Sequence, residues 1–180
     1  MSIVKTLLTI VAVVVVFLLV VAFFVKKEYT VERDVTINQP KQQVFEYIKL
    51  LKNQNNFSKW ARMDPKMKQE FKGTDGTVGF ISLWSSEVKN VGQGEQEISK
   101  ITEGQRIDYH LRFIKPFKSN SEAYLETIAV SPNQTRVKWV FTGVMNYPMN
   151  VMLLFMNMDK MLGPDLQTGL DNLKGILEKP

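Results

Sequence analysis

The sequence has no cysteine and a single histidine, His110, among 180 residues. Without thiols there are no disulfides, thiolate zinc sites or cysteine nucleophiles. With one imidazole there is no metal site built on two histidines, and no HExxH chemistry. A phosphate loop is missing too. Gly73, Gly76 and Gly79 have neither the spacing nor the Lys-Ser/Thr that must follow, and read as a hairpin turn. Long basic blocks are also absent. Net charge is +5, Lys5 is the only charge before residue 26, and later lysines are scattered (Lys66, Lys68, Lys72; Lys115, Lys118). This is not the clustered basic face of a nucleic-acid binder. The sequence calls for no nucleic acid, no metal and no cofactor.

What is present is a long apolar run. Residues 6–25, TLLTIVAVVVVFLLVVAFFV, carry no charge. About 20 apolar residues cross the roughly 30 Å hydrocarbon layer as a helix. A cleavable signal peptide has a shorter apolar region, ending in small residues. Here the run ends AFFVKKEY, with bulky groups at that place. The expectation is a retained single-span anchor over residues 1–27 and one folded domain over 28–180. Lys26, Lys27 and Arg33 outweigh Lys5, which orients the domain to the cytoplasmic side.

From residue 29 the texture alternates. YTVERDVTIN predicts a strand. NQPKQQVFEYIKLL predicts a helix with Val44, Ile48 and Leu51 as its stripe and Phe45 beside it. A polar, short-helix region follows and closes at Asp64-Pro65. Turn signals then divide residues 66–143 into six predicted strands, at 67–72, 78–85, 93–102, 105–114, 119–130 and 134–143. Short connections make them an antiparallel meander. In RIDYHLRF, Ile107, Tyr109, Leu111 and Phe113 share one face, while His110 sits on the other between Asp108 and Arg112. In TRVKWVF, Val137, Trp139 and Phe141 oppose Arg136 and Lys138. One face of the sheet is therefore covered and the other wet. Residues 148–160 predict a helix, and Gly163-Pro164 an interruption from which the last helix starts. Its stripe is Leu166, Leu170, Leu173 and Leu177.

That order is α+β in a helix-grip arrangement: a curved antiparallel sheet of about seven strands around a long C-terminal helix. The sequence also resembles the START/polyketide cyclase-like (SRPBCC) superfamily in its small, membrane-anchored bacterial branch. The likeness rests on VERDVTINQPKQQVFEYI, KWARMDP, the GTDGTVGFISLW hairpin, GQGEQEISKI, FIKPF, TRVKWVF and DKMLGPDLQTGLDNLKGILE, and spans nearly all of residues 29–178. No single motif among these is catalytic. The resemblance implies a cavity between sheet and C-terminal helix. In relatives it takes lipids, sterols, polyketides and other hydrophobic molecules, with cyclases, dehydratases, carriers and chaperone activators among them.

Expected ligand-binding residues are Phe80, Trp84, Tyr109, Phe113, Trp139 and Phe141 on the sheet, with Met152 and Met156 beyond it. Aromatic walls with a phenol or indole donor suit an apolar ligand that needs orienting. Six of the nine methionines fall in residues 144–161, and Met145, Met149, Met152 and Met156 have helical spacing. Methionine is flexible and polarizable. The segment reads as a lid or cavity mouth, and as a part that dips into the membrane surface. No catalytic set assembles: His110 points to the wet face, and Glu95 and Glu97 read as an exposed acidic edge. The expected function is a membrane-tethered module binding a hydrophobic small molecule or lipid without chemistry. A cyclase- or dehydratase-like enzyme and a protein-partner module are the alternatives.

Overall fold

The computed structural model describes residues 2–179. Its first element, α1 (Ser2–Phe24), takes in the uncharged run except Val25, and Lys5 ahead of it. Residues 3–24 are long and apolar enough to cross a membrane, and almost none of that helix is buried against protein. Only Val25, Lys26 and Lys27 separate α1 from β1 (Glu28–Ile37).

Short helices α2 (Lys41–Lys49), α3 (Gln54–Phe57) and α4 (Lys59–Met63) lead to the meander. Its strands are β2 (Lys68–Lys72), β3 (Ile81–Ser85), β4 (Gln93–Thr102), β5 (Arg106–Lys115), β6 (Ser119–Ser131) and β7 (Gln134–Val144). They form one antiparallel sheet in the order β1-β7-β6-β5-β4-β3-β2. A final helix, α5 (Met158–Leu177), lies on the concave face. The fold is therefore α+β and helix-grip, as the element order requires.

The core follows the sequence periods. Leu166, Leu170, Leu173 and Leu177 of α5 are buried with Val44, Phe45 and Ile48 of α2 and with Ile107, Leu125 and Val137 of the sheet. Burying each such side chain contributes about 1.5–3 kcal/mol. β3 starts three residues later than expected, because Gly79 stands at φ +86° and turns the chain there.

The methionine-rich segment departs from its expected helix. Residues 149–154 form a 3₁₀ turn, and α5 starts afresh at Met158, where the Asn157 side chain accepts the Lys160 N–H at 2.9 Å. The cause is Asn150, fully buried in the middle of the methionines. Its amide donates to the carbonyls of Ala22 at 2.6 Å and Val25 at 2.8 Å. A helix ends with unpaired carbonyls, and Asn150 serves those at the end of α1. The chain follows these bonds and not the methionine period.

Pro164 does not begin the last helix either. It lies inside α5, in the second turn. Arg33 of β1 holds the turns ahead of it. Its guanidinium donates to both Asp159 carboxylate oxygens, at 2.7 and 2.9 Å, and lies against Gly163, where no Cβ fits. Met158 and Leu162 pack against the core. These contacts offset a proline cost of about 3 kcal/mol.

The same pair gives an acid limb to the stability. Its hydrogen bond with Arg33 holds the Asp159 carboxyl below the usual carboxylate range. A carboxyl with a depressed folded pKa stabilises the fold above its unfolded value of about 4, and that contribution is lost as pH falls through the folded value. Above about pH 4 the wild type melts higher than Arg33→Gln, and in acid the two curves converge. Parallel melting curves against pH would show the pair to be inert.

Candidate ligand cavity

The sheet lays its inward side chains in rows. Across six strands, Ser82, Gln96, Leu111, Ser121, Gly143 and Tyr29 stand opposite one another in register. One row deeper are Ile98, Tyr109, Ala123, Phe141 and Val31. One row toward the strand ends are Trp84, Gly94, Phe113 and Ser119. Most of the deep row is sealed: Ile98, Tyr109 and Val31 are buried in the core beneath α2 and α5. The two outer rows hold serines and glycines where a filled core would place bulk. On β6 the inward positions Ser119, Ser121 and Ala123 are all small before Leu125 restores a large side chain.

The result is a cavity of about 570 Å³ between sheet and helices. That volume is in the usual range for a small-molecule site. Met158, Met161, Leu162 and Leu166 of α5 form one wall, and Gln54, Ser58 and Trp60 of the α3–α4 region another. Three aromatic walls lie on glycines. Trp84 covers Gly94, Tyr29 covers Gly143, and Trp139 covers Gly169 of α5; a Cβ at any of the three would strike the ring. Such close approach keeps the rings flat against the backbone and the space above them free.

The polar groups are few. Asn55 and Gln69 exchange two amide hydrogen bonds, at 3.0 and 2.7 Å. Trp84 Nε1 donates to the Val91 carbonyl at 3.2 Å. Gln54 lines the wall and is buried beside the Tyr109 phenol, and its Nε2 has no partner at hydrogen-bond distance among the described residues. Tyr109 Oη, beneath the cavity, also has none. Burial pushes the Tyr109 phenol far up, against a weaker downward pull from the neighbouring Gln54 amide. Burial raises Tyr29 as well. Among the described residues lining the cavity there is no Asp, Glu, Arg or His, and the only charges are Lys89 and Lys115.

Residues 28–178, the whole of the sheet and its helices, match the polyketide cyclase/dehydrase and lipid transport family. The chain belongs to that family. No curated protein matches it. Among solved structures, norcoclaurine synthase from Thalictrum flavum, in complex with dopamine and hydroxybenzaldehyde, is similar with a TM-score of 0.64 at 10% identity, over 85% of this chain and 89% of the other. The Mll3558 protein from Rhizobium loti has a TM-score of 0.57 at 21% identity, over 82% and 96%. The di-domain ARO/CYC BexL from the BE-7585A biosynthetic pathway has a TM-score of 0.60 at 14% identity, over 85% and 51%. At these identities the likeness shows the shared fold.

In this polyketide cyclase/dehydrase family domain, Trp84, Phe113, Trp139 and Phe141 stand on the cavity together, as their alternation places them. Phe80 and Tyr109 share the concave face but not the cavity. Phe80 is buried and stacks on Phe71 with centroids 6.0 Å apart, and Tyr109 is sealed in the core. Met152 and Met156 do not form its mouth. They lie on the segment tied to α1, where Met156 lines a shallow cleft with Phe24, Val25 and Phe155. Gln54, Trp60, Met158 and Met161 join the walls without having been singled out by spacing. With Trp60, all three tryptophans of the chain face the cavity. His110 is exposed with Glu122 3.8 Å away, and Glu95 and Glu97 both pair with Arg112 on the outer face.

Proposed function

We propose that the chain is a membrane-tethered binder that holds a hydrophobic small molecule or lipid in this cavity and performs no chemistry on it. The observation that carries the reading is the wall itself: largely aromatic and aliphatic side chains around some 570 Å³, with Lys89 and Lys115 the only charges among its described residues. Acid–base catalysis needs a titratable group in reach of the reacting atoms; this wall offers the Tyr29 phenol, raised by burial, and the exposed amines of Lys89 and Lys115, with no carboxylate or imidazole beside them among the described lining residues. The family's description joins cyclases and dehydrases to lipid transport, and this wall suits the second. Trp84, Phe113, Trp139 and Phe141 grip the apolar body of the ligand. Gln54 Nε2, buried and unpaired, donates to one acceptor on it, such as a carbonyl or hydroxyl. A lost donor of this kind costs about 1–3 kcal/mol. The length and composition of α1 support the tether, and Lys26, Lys27 and Arg33 against Lys5 support a cytoplasmic domain.

The tryptophans supply the test. The full chain, stripped of lipid and reconstituted in nanodiscs, is titrated with brominated fatty acid. Bromine quenches the indoles when the acyl chain fills the cavity, with a saturable curve. Quenching that rises linearly, no faster than with free tryptophan, would remove the reading.

A further inference from the structure

We propose that the cavity mouth is itself a membrane-docking surface, whose apolar rim dips into the bilayer carrying α1, so that ligand enters from the lipid phase without crossing water. This deepens the tethered-binder reading and rests on it.

The strand register carries the argument. Tyr29 pairs with Gly143, and Gly143 with Ser121. Two residues further along, Lys27 and Ser119 stand at one level, and the Met145 N–H donates to the Lys27 carbonyl at 2.7 Å, continuing the ladder. The β5–β6 turn, residues 116–118, starts at that level and runs on toward the end of α1. It lies two to three strands from β1, roughly 10–15 Å to the side. The strand ends from which α1 emerges are therefore also the ends on which the cavity opens.

That end presents large apolar tips to its surroundings. Phe117 on the turn is 82% exposed and lines the mouth. Phe155 is 81% exposed, and Leu154 beside it 56%; both border the cleft at Phe24 and Val25, where α1 leaves off. Exposed aromatics gathered at one end mark an interaction surface. The occupant follows from what adjoins it. The cleft that carries Leu154 and Phe155 shares Tyr29 and Met158 with the cavity wall and reaches Phe24 of α1, and Asn150 clamps the 149–157 segment to the carbonyls at the end of that helix. Charge agrees with a phospholipid surface: Lys26, Lys27, Lys89, Lys115 and Lys118 are exposed at the same end, and none is in an ion pair with a described residue. Lysines in such a place attract anionic headgroups.

The absence of cysteine makes a direct test available. Phe117→Cys and Asn133→Cys, the second on the β6–β7 turn at the opposite end of the sheet, are each labelled with a nitrobenzoxadiazole probe in the full chain. The proteins are reconstituted into phosphatidylcholine vesicles, with and without phosphatidylglycerol and shallow doxyl lipid. The label at 117 shifts to the blue and is quenched by doxyl lipid, more strongly with phosphatidylglycerol, while the label at 133 is not. A second arm uses Leu154→Asp with Phe155→Asp, neither of which lines the cavity. Uptake of brominated fatty acid from donor vesicles slows by about tenfold or more, while affinity for the same probe given in solution is unchanged. A chain that fails to float with vesicles overturns both tether and rim. A chain that floats with an unquenched label at 117, or with uptake unaltered by the two aspartates, overturns the rim alone. Saturable binding in solution remains the separate reading of whether the cavity holds ligand.

Discussion

Ser121→Phe abolishes ligand uptake and leaves the fold intact. Ser121 sits in the middle of the inward row, between Leu111 and Gly143, with the cavity above it. A ring at this position occupies the space that the serines and glycines of the outer rows leave open. Filling a cavity with apolar volume at a site with room is neutral or stabilising. The expected result is at least about a tenfold loss of affinity for brominated fatty acid, some 1.4 kcal/mol or more. The thermal midpoint stays equal to or above that of the wild type. Retained affinity with a retained midpoint would place the ligand elsewhere. Glu122→Phe, one residue along and exposed on the outer face, changes neither measurement.

Asn150→Leu loosens the junction between α1 and the domain. Asn150 is fully buried, and both of its known hydrogen bonds end on backbone carbonyls of the α1 exit. Leucine has the volume but no donors. Each acceptor left without its donor costs about 1–3 kcal/mol, so the loss over the two is of order 2–6 kcal/mol. The readout is hydrogen exchange on the full chain in nanodiscs. Amides of residues 149–157 and of the last turn of α1 exchange faster, while those around Leu170 and Leu173 in α5 keep their protection. Uniformly raised exchange would mean that Asn150 serves the whole core; unchanged exchange would mean that the junction does not depend on it.

Which faces point inward was legible from period two alone. Tyr109 and Phe113 are on one side of β5, as are Trp139 and Phe141 on β7, and the structure keeps them there. How deep each one sits was not legible. Tyr109 is sealed and Phe113 faces open space, although both obey the same alternation. The difference is set by their partners on β4, Ile98 for Tyr109 and Gly94 for Phe113, and by the helices that cover the deeper row. The run of small inward residues on β6, Ser119, Ser121 and Ala123, is the one local trace of the hollow. The methionine segment misled in the opposite way. Its spacing fits a helix, but Asn150 within it has partners that belong to another element. Pro164 likewise marks a usual helix start, and Arg33 with Asp159 moves that start six residues back. Propensity and period describe a segment by itself, and each of these outcomes was decided by contact with a distant one.

The link between α1 and β1 is three residues long. Fully extended it reaches no more than about 10 Å. With α1 in a bilayer, such a domain has no radius of action: it cannot swing to a facing membrane or carry cargo through solution. Its encounters are confined to diffusion within one plane. Whatever receives the ligand must itself travel in that membrane or come down onto it, and the rate of handover is then governed by surface density and not by volume concentration.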